Sequence, residues 1–222
     1  MSVRTVLSNR LSVDAADTAV AGTSLSLAGV VAFMGIITAE VLYPGYSTRQ
    51  EISDLGSTVP PDPIIVEPSA TIFNTTMLAT GVLILVGAAF AHRALARRTL
   101  TVPLAVFGAA VFGVGVFPGN VTPWHGLFAL ATFVAGGVTA VLASRAVDGP
   151  FAVLSLLLGG VSLAVLASVF LYGLVLAGPG PLASLGAGGV ERWVAYPLLL
   201  WVTLLGGYLL GDGEAGRDRA GD

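Results

Sequence analysis

The chain has 222 residues, of which 55% are hydrophobic and only 10% charged, too few to cover a water-facing surface when soluble domains carry about 25%. Its 13 acids face 10 bases, every one an arginine, so no basic surface offers itself to nucleic acid. The absence of cysteine excludes disulfides, thiolate metal ligands, iron–sulfur clusters and a cysteine nucleophile.

Residues 1–24 include Arg4, Arg10, Asp14 and Asp17 and are expected to form a cytoplasmic segment, with no cleavable leader. Six apolar runs follow, each near the roughly 20 residues that a helix needs to cross a bilayer. They cover about 25–43, 70–91, 102–117, 125–143, 151–177 and 193–211. Pro44-Gly45, Pro118-Gly119 and the run from Gly178 to Pro181 end the first, third and fifth. The runs are continuous and too long for barrel strands, so the expected fold is an all-α, six-helix transmembrane bundle over 25–211. The charged, glycine-rich tail 212–222 reads as disordered.

Arginine placement predicts orientation. With the N-terminus inside, Arg4, Arg10, Arg93, Arg97, Arg98, Arg145, Arg217 and Arg219 are cytoplasmic, and only Arg49 and Arg192 are outside. Both termini then face the cytoplasm of a multi-pass cell-membrane protein. Ala105, Ala109 and Gly113, with the glycine pairs 136–137, 159–160 and 206–207, supply small surfaces for close helix packing. No glycine-rich stretch follows a strand or carries a lysine, so a nucleotide loop is excluded.

The polar residues gather on the predicted outer side. The loop 44–69 is the longest, and loops beyond about 12–15 residues are usually functional or disordered. Its first half holds Tyr46, Arg49, Glu51, Ser53 and Asp54; Pro60-Pro61-Asp62-Pro63 reads as an extended spacer. Glu40, Asn74, His125, Glu191 and Arg192 fall at the same depth. Trp124, Trp193, Tyr43 and Tyr196 are expected as an interfacial belt, and Glu191 and Arg192 as a cap on the sixth helix. A carboxylate within a span is costly and is usually paired or functional, which singles out Glu40. His125, the one histidine on that side, is a candidate general base beside Asp54 or Glu191. One outer histidine with scattered acids makes no zinc site, and paired haem histidines are absent, so no metal or other cofactor is expected.

Tyr43-Pro44-Gly45-Tyr46-Ser47, Ile52-Ser53-Asp54-Leu55-Gly56 and Ile72-Phe73-Asn74 resemble the first half of the DUF 998 family (domain of unknown function), small multi-span proteins of archaea and bacteria. Phe117-Pro118 with His125, and Gly189 with Glu191-Arg192, are similar to its later motifs. The resemblance implies a six-helix bundle without an established activity. It also implies that Ser53, Asp54, Asn74, His125, Glu191 and Arg192 meet in one place.

The expectation is therefore an outer pocket formed by Glu40, Tyr46, Ser53, Asp54, Asn74, His125, Glu191 and Arg192. It would bind a membrane lipid headgroup or small polar molecule, with Arg192 or Arg49 facing an anionic group. A lipid hydrolase or transferase using His125 with Asp54 or Glu191 is the enzymatic alternative. A structural or accessory subunit, whose polar groups only tie loops together, is the third. A transporter would need a cavity reaching the bilayer midplane.

Overall fold

The computed structural model describes the backbone of residues 3–221 and the side chains of residues 15–211. The side chains of Arg4, Arg10, Arg217 and Arg219, and the tail 212–222 expected to be disordered, lie outside the described side chains. The helices are α1 (Val3–Leu42), α2 (Ser69–Leu95), α3 (Arg98–Val116), α4 (Trp124–Ala143), α5 (Pro150–Phe170) and α6 (Gly186–Gly221). All six contain a stretch long and apolar enough to span a membrane, and there is no strand among the described residues.

Two helices start earlier than the apolar pattern suggests. The α1 helix is already formed before Leu25, and Asp17 is accommodated in it by pairing with Arg93 of α2 at 3.0 Å. The α6 helix begins at Gly186, not Trp193, because its first turns dock against the long loop. Conversely, α5 ends early. Leu171–Val175 widens into a π turn before the Gly-Pro run.

Each helix packs on its sequence neighbours, and α6 closes the ring on α1. Small residues set the approach. A Cβ on Gly22 of α1 would come within 2.7 Å of the Gly206 carbonyl of α6, closer than real contacts allow. Gly81 meets the backbone of Phe112, and Gly115 that of Asn74, across α2 and α3. Where lipid removes any hydrophobic preference for packed over lipid-facing surfaces, such close approach and interhelical hydrogen bonds hold the bundle. Trp201, fully buried, donates its indole N–H to Ser155 Oγ at 3.1 Å, and Ser162 donates to the Val194 carbonyl at 2.9 Å, joining α5 to α6.

The antiparallel succession brings the end of α1, the starts of α2, α4 and α6, and the ends of α3 and α5 to one end of the bundle. The loop between α1 and α2 folds into that end instead of standing off it. Its 3-10 turn Ser53–Leu55 drives Leu55 (0% exposed) and Ile52 into the core. Ser69 Oγ then donates to the Leu55 carbonyl at 3.3 Å, fastening the turn to α2.

Candidate functional site

Two structures occupy this end of the bundle, a clasp and a cavity, and the candidate residues divide between them. The clasp centres on Arg192. Its Nη1 donates to the carbonyls of Thr48 (3.0 Å), Gln50 (3.1 Å) and Gly188 (3.0 Å). Its Nη2 donates to Tyr46 Oη at 2.9 Å and forms an ion pair with Glu40 of α1. Tyr46 Oη in turn donates to the Glu51 carbonyl at 2.8 Å. Burial pushes the Tyr46 phenol up to about 12, the Arg192 charge opposing only part of the rise. The phenol therefore stays a donor in ordinary conditions. Glycine at 188 is required because a Cβ there would collide with the Gln50 carbonyl oxygen, and its N–H donates to the Arg49 carbonyl at 2.9 Å. Arg192 thus has a task other than facing an anionic ligand: both terminal nitrogens are engaged by loop and helix acceptors. Arg49 likewise donates to the Ser184 carbonyl at 3.1 Å.

Beside the clasp lies a narrow apolar cavity of about 70 Å³ inside the bundle. It is lined by residues from mid-helix, among them Ala32, Phe107, Leu198 and Thr80, so it reaches the middle of the bundle. A wider groove of about 850 Å³ opens between α4, α5 and the start of α6. The two share a wall: Ser53, His125, Ala129, Phe133 and Glu191 line both. Glu51 lines the groove as well.

The polar groups of this junction are oriented by backbone. One carboxylate oxygen of Glu191 accepts the Ile52 N–H, which shows that Glu191 ties the loop down from the second turn of α6 instead of capping its start. His125 is buried, and its Nδ1 lies 2.8 Å from the Phe117 carbonyl. A carbonyl only accepts, so Nδ1 carries the proton and the tautomer is set, leaving Nε2 without a hydrogen bond among the described residues. Asp54 accepts the Glu51 N–H at 3.2 Å. Burial raises the carboxyls of both Glu51 and Asp54 above the usual range; repulsion from Asp54 adds to the rise at Glu51, and His125 draws both back.

Asn74 stands apart. It lines a separate shallow groove with Gly56, Glu67 and Asn120, on the α2–α3 side of the loop. Gly56 makes room for it, since a Cβ there would press on its carbonyl oxygen. The belt expectation is corrected in part. Trp124 and Trp193 are exposed, but Tyr43 is buried and Tyr196 packs on Phe33 with ring centres 5.4 Å apart.

Two residues were not singled out in the sequence. Thr80 and Thr132, in the apolar stretches of α2 and α4, line the cavity with buried hydroxyls that have no partner among the described residues. Thr38, Thr139 and Thr203 instead donate to the carbonyl four residues back. Nothing in the local sequence separates the two groups. Among the described residues no three histidines or acids are grouped to hold a metal ion.

Six spanning-capable helices closed into a ring define a multi-pass membrane protein. The chain belongs to the family described as "Protein of unknown function (DUF998)", whose model matches residues 26–208. Neither a curated protein nor a solved structure matches it.

Proposed function

We propose that the protein binds an amphiphile drawn from the membrane, with the apolar part in the groove and cavity and the polar end at Ser53, Glu51, His125 and Glu191. The observation that carries this reading is the shared wall: one polar junction joins a groove between helices to an apolar cavity inside the bundle. Ligand sites are typically apolar clefts with a few convergent polar groups. The positive-inside pattern puts this end outside, so the ligand would come from the outer leaflet. Glu40, Tyr46 and Arg192 support the site by holding its loop, and the reading assigns them no ligand contact.

Mass spectrometry of lipids retained by the purified protein tests this. The natural protein is expected to retain a discrete amphiphile that Ala129→Phe, which fills the shared wall, releases. An identical lipid profile in both would overturn it.

A hydrolase or transferase is the second reading, favoured by the fixed His125 tautomer and by Ser53 lining the same two spaces. Lipid turnover by purified protein that His125→Ala leaves unchanged would remove it.

A further inference from the structure

The junction between groove and cavity has a definite electrostatic character. Glu51 and Glu191 line it, and Asp54 sits behind Glu51 through the bond to its N–H. No arginine lines either space, and the chain has no lysine to add. The guanidiniums at this end are engaged elsewhere: Arg192 by Glu40, Tyr46 and three carbonyls, and Arg49 by the Ser184 carbonyl. A phosphate or carboxylate headgroup would meet acids and neither arginine nor lysine, whereas an ammonium gives the ionised form of these acids the partner it lacks.

A second observation points to a ligand deeper in. Thr80 is 0% exposed, lines the cavity and has no hydrogen-bond partner among the described residues; Thr132 lines the same cavity with its hydroxyl equally unpartnered. An unmade hydrogen bond of this kind is costly and calls for an explanation in a native structure. A bound molecule with a polar atom in the cavity supplies one. The cavity, about 70 Å³, leaves room there for only a slender part of that molecule.

We propose that the site takes a cationic amphiphile: a protonated amine or quaternary ammonium between Glu51 and Glu191, its apolar chain along the groove and a slender arm bearing a hydroxyl or ether oxygen reaching Thr80 and Thr132 in the cavity. This rests on the amphiphile-binding reading above and names its headgroup. Ser53 and the Nε2 side of His125 complete the polar wall around the ammonium. The apolar remainder lies along Val169, Val190 and Val194 of the groove.

Titration calorimetry on protein purified in an uncharged maltoside detergent, with decylamine, decanol and decanoate as probes at neutral pH, separates the possibilities. Decylamine is expected to bind about tenfold tighter than decanol, the lower end of what a hydrogen bond to a charged group contributes, and decanoate weakest. Glu191→Gln and, separately, Glu51→Gln should each erode the preference for decylamine. The second variant leaves the Ile52 anchor intact, so folding and binding effects are distinguishable. Equal affinity for amine and alcohol, both lowered by Ala129→Phe, would overturn the cationic assignment while leaving the amphiphile site standing. Tighter binding of decanoate would also overturn it. Affinities for all three probes that Ala129→Phe leaves unchanged would overturn the site itself.

Discussion

At the scale of single residues, the Arg192 guanidinium carries more structural weight than any other side chain at this end of the molecule. Its partners come from α1, from the loop and from its own helix, and the ion pair with Glu40 is largely buried, the two side chains being 12% and 20% exposed. Removing one member of such a pair leaves an uncompensated charge, which costs about 3–5 kcal/mol. Arg192→Ala is expected to lower stability by about 3 kcal/mol in thermal unfolding in detergent. Arg192→Lys should recover only a minor part, because an ammonium cannot present the planar fork that reaches the Thr48 and Gln50 carbonyls together. Recovery by lysine of full stability would show that charge alone matters. Glu51 and Asp54 act in the opposite sense. Burial raises both carboxyls in the folded protein above their ordinary 4.5 and 3.8, so the folded state binds protons more readily than the unfolded chain. Stability from these two groups is therefore greatest below the unfolded values and falls as pH rises through the raised folded ones. The protein should unfold at a higher temperature at about pH 5 than at about pH 8, with Glu51→Gln flattening the difference. A flat profile in the unaltered protein would contradict the partial desolvation of these carboxyls.

At the scale of elements, α1 and α6 meet through glycine. Gly22 and Gly206 face each other's backbone, and Gly206 has no room for a Cβ against Ser26 and the Gly22 carbonyl. Overpacking of this kind typically costs about 1–3 kcal/mol, and here both obstacles are backbone or tied to it. Gly206→Ala is expected to fall at the upper end of that range, while Gly207→Ala, beside which nothing stands within 4 Å, should leave the melting temperature unchanged. Equal effects would mean that the helices are not in this register. Composition and run length were sufficient to identify the six helices, because lipid imposes one rule on every span. Their ends were not legible where tertiary contact extends a helix: Asp17 reads as a break until Arg93 of α2 is seen opposite it, and Gly186–Arg192 reads as loop until the Arg49 carbonyl accepts the Gly188 N–H.

At the scale of the whole molecule, polar residues at similar depth were expected to converge, and they converge in two places. Depth along a helix is legible in a sequence, but azimuth around it is not when the hydrophobic pattern faces lipid on one side and an apolar interior on the other. Glu40, Tyr46 and Arg192 therefore separate from Ser53, His125 and Glu191 although they share a level, and Asn74 turns to a third face. Adjacent residues illustrate the point: Glu191 faces the cavity and Arg192 the clasp, about 100° apart on the helix.

The closed ring has a bearing on how the protein is made. Glu40 and Arg192 are 152 residues apart, and α1 is synthesised first and α6 last. A membrane insertion machine must therefore release or shelter a carboxylate at the end of the first span while four further helices emerge, all before its counter-charge exists. The same delay leaves the loop between α1 and α2 without the helix that receives it. Biogenesis of this bundle thus ends in a single late event, the arrival of α6, which neutralises Glu40, seats the loop and encloses the cavity together.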